Sequence, residues 1–247
     1  YVRHQINFRA HFYVRHLDAK AELRHNRIPI MYLESIHTVF IHVPKTGGNY
    51  CESVFLDMGL TNDVKTVQGS GQDGTQRFGI SGKFSKYKHQ DLRGYHNHFR
   101  GGYRKYLRKG LWDSLEVVTV WRDPLERLVS HYLSPHRHTS PDGSINRPSG
   151  YDLEEFRDLT QRVRSATQML ELPEANIPKS VQYLLFSQLA NDLELFLALK
   201  GYSSFPAIGA LNESSNAQLA KEMLDDSRIR HIVFQSHHVA DMELLGK

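Results

Sequence analysis

The sequence predicts an α/β protein with three layers, in which a mostly parallel central sheet is flanked by helices. Two stretches predict this fold class. Residues 38–43 form a short β-branched and apolar run, and a glycine turn leads from this strand into a helical pattern over 50–58. Residues 115–121 repeat the arrangement, with a helix predicted over 125–133. A strand that leads into a helix, repeated along the chain, is typical of α/β domains.

Length and composition favour one globular domain over residues 1–247. The chain has 247 residues and 40% of them are hydrophobic, which is enough for one sizeable core. Residues 1–37 are rich in His, Arg and aromatic side chains, and we interpret them as a basic lead-in segment with a helix over 17–27. This segment either is a solvated approach that packs on the domain or presents a basic face to an acidic acceptor.

Charge and motifs narrow the class of partner. The formal net charge is +4, with fifteen histidines besides, which suits a polyanionic ligand or an anionic cofactor. The sequence carries no helix-turn-helix spacing, zinc finger or RNP-type aromatic motif, so we predict no nucleic-acid partner. It also lacks a run of eighteen apolar residues, so we predict no transmembrane segment.

The stretch PKTGGNY at 44–50 is the strongest candidate for a ligand site. Lys45 and Thr46 precede the glycine pair Gly47 and Gly48, Asn49 is predicted to cap the following helix, and Tyr50 begins it. A strand, glycine turn and helix direct backbone N–H groups at a phosphate or sulfate. The order differs from the NTPase loop, in which Lys and Ser or Thr follow the glycines. The alternative is an ordinary turn with a surface lysine.

The single cysteine, Cys51, excludes an internal disulfide and a multi-cysteine metal site. It falls in the first turn of the predicted helix, where a thiolate would be stabilised. We nevertheless interpret Cys51 as a small residue packed in the core.

The second strand is followed at once by RDPLERLVS at 122–130, which predicts a second anion site. Arg122 lies where open α/β sheets bind ligands, at the carboxyl end of a strand, and Ser130 follows about two turns along the helix. Arginine and a hydroxyl together suit a phosphate. The alternative for Arg122 is a salt bridge to Asp123 or Glu126.

Residues 83–110 concentrate histidines, cations and tyrosines near the first anion site. A histidine titrates near neutral pH and suits a general base, so His89, His96 and His98 are candidates. The His-x-His pair at 96 and 98 lacks a third ligand at a convincing spacing, so no metal site is predicted.

The remaining chain is predicted to alternate between loops, helices and short strands. Residues 61–82 and 134–150 are predicted loops, and residues 151–172 are predicted to be mostly helical. Further segments are predicted as follows: amphipathic segments over 177–186 and 189–199, strands over 205–211 and 231–234, and a helix over 213–224.

The pairing of PKTGG with RDPLERLVS resembles the PAPS-dependent sulfotransferases, especially the carbohydrate enzymes of the Golgi and their bacterial relatives. The resemblance covers roughly residues 38–50 and 83–134, and it implies a P-loop-like sulfotransferase fold. In that family the lysine of the first motif contacts the phosphosulfate, and the arginine and serine of the second hold the 3′-phosphate, which correspond here to Lys45, Arg122 and Ser130. The sequence departs from the family at Asn49, where Thr or Ser is usual.

A finer resemblance concerns the histidines. Residues 95–98, with RDPLERLVS, are similar to the uronyl 2-O-sulfotransferases of heparan and dermatan sulfate, which implies that His98 is the base and His96 its neighbour. Lys88 and His89, followed by Trp112 and Asp113, are instead similar to the broader bacterial group. The two alignments compete, and we favour His98 narrowly.

The resemblance implies in-line transfer of a sulfuryl group from PAPS to an acceptor hydroxyl, with PAP as product and no metal required. We expect the acceptor to be an acidic glycan. The alternatives are a small-molecule alcohol or phenol and, from another class, a non-catalytic polyanion-binding protein on the same fold. A magnesium-dependent phosphotransferase is disfavoured because Asn49 and Tyr50 occupy the position of its hydroxyl ligand. We expect a cytoplasmic location for a complete chain and the Golgi lumen for one trimmed of an N-terminal anchor.

Overall fold

The computed structural model describes residues 32–60, 66–70, 76–79, 91–97, 115–134, 137–138, 148–172, 180–206 and 216–244. The strands and 3₁₀ turns in chain order are β1 Tyr32–Leu33, a 3₁₀ turn Glu34–Ile36, β2 Thr38–Ile41, β3 Thr66–Ser70, β4 Gln76–Gly79, β5 Glu116–Trp121, β6 Ser180–Leu185 and a 3₁₀ turn Phe186–Gln188. The helices are α1 Gly48–Asp57, α2 Leu92–Asn97, α3 Pro124–Tyr132, α4 Leu153–Arg162, α5 Ala166–Leu170, α6 Leu189–Leu199, α7 Ala217–Asp225, α8 Ser227–Phe234 and α9 Val239–Leu244.

The central sheet has four strands in the order β1-β2-β5-β6 and is mixed. β1 runs antiparallel to β2, whereas β2 with β5 and β5 with β6 are parallel pairs. All four residues of β2 are buried, as are the last five of β5, which is the pattern of strands covered on both faces. The chain is therefore an α/β protein with helices flanking a mixed sheet.

Two hydrophobic clusters make up the described core. The first surrounds the sheet and includes Phe40 of β2, Phe55 of α1 and Phe196 of α6. The second is helical and joins α3, α4, α7, α8 and α9 through residues such as Leu128 and Phe156. Because α3 follows β5 directly and packs in the second cluster, it connects the sheet to the helical part.

Several sequence predictions need correction. Residues 231–234 do not form a strand, because they are the end of α8, which begins after the Asp226 cap and buries Ile229, Ile232 and Val233 at helical spacing. The predicted loop over 61–82 contains the antiparallel β3–β4 pair. The amphipathic segment over 177–186, for which no helix or strand was predicted, contains the edge strand β6 at residues 180–185.

Other predictions hold, or fall outside the described residues. The predicted helices over 50–58, 125–133 and 213–224 correspond to α1, α3 and α7, and the helical region over 151–172 divides into α4 and α5. Residues 205–206 of the predicted strand over 205–211 are not in a strand, and residues 207–211 lie outside the described part. The helix over 17–27 and nearly all of the basic lead-in also lie outside it.

Candidate functional site

The two strand–helix turns lie side by side. β2 and β5 are adjacent and parallel, with Ile41 opposite Thr119, so their carboxyl ends reach the same edge of the sheet. The turn after β2 leads into α1 and the turn after β5 leads into α3. They are in direct contact, because Arg122 Nη1 donates a hydrogen bond to the Lys45 carbonyl oxygen at 3.0 Å. The structure thus brings together two of the residues that the sequence selects.

The first turn is held in an unusual backbone conformation. Lys45 and Gly47 have φ values of 67° and 85°, so the backbone enters the left-handed region twice within three residues. The hydroxyl of Thr46 is buried and donates to the carbonyl oxygen of Val43 at 2.8 Å. Thr46 therefore fixes the turn from inside, and Gly47 supplies the conformation that most side chains disfavour.

The N-cap of α1 is Gly47 and not Asn49, which corrects the sequence prediction. α1 starts at Gly48, so Asn49 is already the second residue of the helix and is half-buried. Within the described part of the chain, no side chain caps this helix. The positive end of the α1 dipole is consequently left to the backbone, the arrangement that suits an anion.

A buried histidine–glutamate pair, which the sequence analysis missed, packs against the first turn. His42 Nδ1 donates to Glu52 Oε1 at 2.5 Å, and both side chains are buried. The imidazole also fills the space beside Gly48, where an added Cβ would lie 2.2 Å from His42 Cδ2. Glycine is therefore required at Gly48 by close packing. The sequence signal was a histidine ending an apolar strand, with a glutamate ten positions on in the next helix.

Lys45 is a partly buried cation without a carboxylate partner among the described residues. Its ammonium group donates to the Ser134 hydroxyl at 3.2 Å. Burial, and then the charge of Arg122, hold the pKa of Lys45 below its usual value. A bound anion would offset both the desolvation of the Lys45 ammonium group and its repulsion by Arg122, since it would supply a negative charge next to them.

Arg122 is held by three neighbours. Its guanidinium lies over the Phe186 ring at 4.0 Å from the centroid, Nη1 bonds Lys45, and Nε approaches Glu126 Oε2 at 3.4 Å. Burial lowers the pKa of Arg122, and Glu126 opposes that effect. The predicted alternative for Arg122, a salt bridge to Glu126, is therefore also present, but with a long N–O distance. Asp123 instead caps α3, accepting from the backbone of Leu125 at 2.9 Å.

The other predicted site residues lie in the helices α1, α2 and α3 or outside the described part. Ser130 is half-buried on α3, and Tyr50 is half-buried in α1, where burial raises its pKa. Cys51 is fully buried and burial also raises the pKa of its thiol, so its interpretation as a packed core residue is confirmed. His89 and His98 lie outside the described residues. His96 is in α2, but its side chain is not described.

Arg127 of the RDPLERLVS stretch is a structural residue. It is almost fully buried, and Nη2 donates to the Arg164 carbonyl oxygen and to His238 Nδ1, each at 3.0 Å. His238 Nε2 donates in turn to the Thr160 carbonyl oxygen at 3.1 Å. The carboxylate of Asp241 lies 3.8 Å from the same guanidinium nitrogen. This network joins α3 to α4 and to the C-terminal helices.

A cavity of about 400 Å³ lies beside the first turn. Its lining combines apolar side chains with three arginines and a histidine, and its residues are Pro44, His131, Arg137, Leu159, Arg162, Val163, Arg164 and Met169. Each of its three arginines is paired with a carboxylate, those of Glu155, Asp158 and Asp91. The cavity reaches Pro44, the neighbour of Lys45, so a molecule bound in it would approach the cationic edge of the sheet.

His131, which the sequence analysis did not select, lines this cavity. Its Nδ1 is buried and has no hydrogen-bond partner among the described residues. Burial, followed by the charges of Lys45 and Arg127, lowers the pKa of His131 to about 4. The imidazole is therefore neutral at pH 7.

Comparison with known proteins gives no relative. No protein-family model, curated protein or solved structure matches the chain. Within the described residues there is no group of three or more His, Cys, Asp or Glu side chains that could hold a metal ion. None of the described helices combines the length and apolar character needed to cross a bilayer.

Proposed function

We propose that the protein is a PAPS-dependent sulfotransferase with a P-loop-like fold, which transfers a sulfuryl group to an acceptor hydroxyl. The observation that carries the proposal is the hydrogen bond from Arg122 to the Lys45 carbonyl oxygen. It joins two cationic turns that follow adjacent parallel strands. A nucleotide with phosphates at both its 5′ and 3′ ends needs two such sites at one sheet edge.

The first turn binds the phosphosulfate end. Lys45 and the backbone amides of Gly47, Gly48 and Asn49 face charge that develops on the transferring group and on the departing phosphate. The uncapped N-terminus of α1 supports this role, because its dipole favours an anion there. Thr46 keeps the turn in shape, and Tyr50 borders it. These positive groups supply the charge stabilisation for which a phosphotransferase uses a metal ion.

The second turn binds the 3′-phosphate through side chains. Arg122 and the Ser130 hydroxyl supply charge-assisted hydrogen bonds, and Arg122 is already desolvated and ordered by its neighbours. ATP and 5′-AMP lack a 3′-phosphate, so this contact selects PAPS and PAP over them.

The acceptor hydroxyl enters from the cavity beside Pro44 and loses its proton to a histidine. His98 is the favoured base, with His96 and His89 as the other candidates. Arg137, Arg162 and Arg164 line the cavity, each paired with a carboxylate that an acidic group of the acceptor would displace, and the formal net charge of +4 also suits an acidic glycan. A small alcohol or phenol is the alternative acceptor, since Leu159, Val163 and Met169 give the cavity an apolar part.

The deciding experiment is calorimetric titration with PAP, 5′-AMP and ATP. We expect PAP to bind at least tenfold more tightly than 5′-AMP, because only PAP reaches both turns. Equal affinities would overturn the proposal. Binding of sulfated glycan without any PAP preference would instead favour a non-catalytic polyanion-binding protein.

A further inference from the structure

The Phe186 ring touches both cationic turns. Phe186 begins the 3₁₀ turn that directly follows the edge strand β6. One face of its ring lies 4.0 Å from the guanidinium carbon of Arg122. The same ring borders Gly47, where an added Cβ would lie 3.2 Å from ring atoms Cδ2 and Cε2. A side chain from a third segment of the chain therefore packs where the two anion motifs meet.

We propose that Phe186 is a positioning residue that sets the selectivity for the nucleotide 3′-phosphate by holding Arg122 in its binding orientation. The inference rests on the proposed function. A guanidinium stacked on an aromatic face keeps its N–H groups in the plane parallel to the ring, where they remain able to bond a phosphate. In Arg122, Nη1 is used by Lys45, whereas Nη2 has no partner among the described residues.

Glu126 is the competitor that makes this positioning necessary. Its carboxylate is about half exposed, belongs to the first turn of α3 and meets Arg122 Nε at the long distance of 3.4 Å. An arginine released from the ring can close on this carboxylate, since the two groups are already within ion-pair distance. Phosphate binding would then have to break that pair. Phe186 keeps the contact long and leaves the charge of Arg122 available.

Phe186 also packs against the first turn, so the same ring contacts both proposed anion sites and fixes their separation. Leu189 approaches the same glycine, with its Cδ2 2.6 Å from the position of an added Cβ at Gly47. Close packing of Phe186 and Leu189 over Gly47 fixes the distance between the Lys45 loop and Arg122. A rigid spacing between two anion sites discriminates between ligands that carry one phosphate and ligands that carry two.

The test measures the Kd for 5′-AMP divided by the Kd for PAP. This ratio isolates the contribution of the 3′-phosphate to binding. Phe186→Leu keeps apolar bulk over Gly47 but removes the aromatic face, and we expect the ratio to fall about fivefold, within the range of cation–π interactions. Phe186→Tyr keeps the face and should keep the ratio. Phe234→Leu, at a half-exposed phenylalanine on α8, is the matched control and should leave the ratio unchanged.

A second substitution separates positioning from a general loss of packing. Adding Glu126→Gln to Phe186→Leu removes the competing carboxylate, and we expect the ratio to recover by a larger factor than Glu126→Gln gives in the wild type. If Phe186→Leu does not fold, Phe186→Met takes its place. An unchanged ratio in the Phe186→Leu variant, or no extra recovery when Glu126→Gln is added to it, would overturn the inference. A wild-type protein without PAP preference would overturn the proposed function as well.

Discussion

The two turns at the sheet edge differ in how their helices begin. α1 follows Gly47 in a left-handed conformation and has no side-chain cap from the described residues. α3 begins with Pro124, and the Asp123 carboxylate accepts hydrogen bonds from the backbone of Leu125 and Glu126 at 2.9 and 3.4 Å. One helix N-terminus is therefore left open to a ligand, while the other is already occupied by a carboxylate of the chain itself.

Under the proposed function, this difference gives the two turns different means of binding an anion. At the first turn an anion meets backbone amides and a helix dipole, together with Lys45. At the second turn Asp123 already accepts from the first backbone amides of α3, so the proposed binding there depends on the side chains of Arg122 and Ser130. Substitutions should therefore affect the first turn through backbone shape and charge, and the second through individual side chains.

Removal of the Lys45 charge should have the largest effect. Lys45→Ala deletes the cation at the open helix N-terminus, and we expect turnover to fall by about 10³-fold or more while the protein stays folded. The measurement is sulfuryl transfer from PAPS with circular dichroism as the check on folding. Lys221→Ala, at an exposed lysine on α7, is the control and should keep full activity. Normal turnover in Lys45→Ala would remove the first turn from the reaction.

Arg122→Ala tests whether the second turn binds through its side chain. Loss of a charge-assisted hydrogen bond costs about 1.5–3 kcal/mol, so the Kd for PAP should rise roughly 10- to 100-fold. The Kd for 5′-AMP should change little, because that nucleotide lacks the 3′-phosphate. Calorimetry on both nucleotides gives the answer, with Arg157→Ala on the exposed face of α4 as control. An unchanged PAP affinity would exclude Arg122 from the site.

The first turn should be sensitive to backbone shape. Gly48→Ala forces a methyl group against the His42 ring, which cannot move freely because Glu52 holds it. We expect a loss of about 1–3 kcal/mol in the free energy of unfolding. Urea denaturation measures it. Gly150→Ala has no atom within 4 Å of its added Cβ and should stay within about 0.5 kcal/mol of the wild type. Equal stabilities for the two variants would contradict the close packing.

Acid should reveal the burial of His131 near the charges of Lys45 and Arg127. Its pKa is about 4 in the folded protein and 6.5 in the unfolded chain, so the unfolded state takes up the proton first as the pH falls. Stability is thus lost between pH 6.5 and 4, by about 2 kcal/mol after allowance for partial solvent exposure. His131→Asn should remove this part of the pH dependence. Urea unfolding of both proteins at about pH 7 and about pH 4.5 checks this prediction. The same loss of unfolding free energy between the two pH values in the wild type and in His131→Asn would contradict it.

The smallest effect is expected at the occupied helix terminus. Asp123→Ala removes the cap of α3 and should cost about 1 kcal/mol of stability, or roughly 2–4 °C in Tm. Asp123→Asn keeps a capping side chain and should recover most of it. PAP affinity should not fall in either variant, since the carboxylate is not a ligand. A tenfold weaker PAP affinity in Asp123→Asn would show that the second turn also binds through its helix terminus.

The helices and strands that the sequence predicts correctly are determined by interactions between residues close together in the chain. β2, β5, α1 and α3 follow from short apolar runs, a glycine turn and a proline at the first helical position, all of which act within a few residues. The wrong prediction of a strand over 231–234 comes from the same use of local sequence patterns. Its four residues are compatible with a strand, and only the cap at Asp226 and the buried Ile229 show that a helix has already begun.

Contacts between distant segments account for what the sequence could not predict. The cap at Gly47 depends on a left-handed backbone, and nothing in the sequence states that φ value. The stacking of Phe186 on Arg122 and the bond from Lys45 to Ser134 each join residues more than sixty positions apart. His131 is unusual only because the fold places it beside Lys45 and Arg127. The predictions for His89, His96 and His98 stay predictions.

The buried network of Arg127, His238 and Asp241 bears on the order in which a nascent chain completes its structure. The guanidinium of α3 is paired with side chains more than a hundred positions later in the sequence. Asp241 also accepts hydrogen bonds from the first backbone amides of α5. During translation the Lys45 turn, with β2 and α1, obtains its packing from β5 and then from Phe186 and Leu189, all of which emerge before residue 241. The helix behind Arg122 is secured only after residue 241 has emerged, so the Arg122 turn is completed after the Lys45 turn.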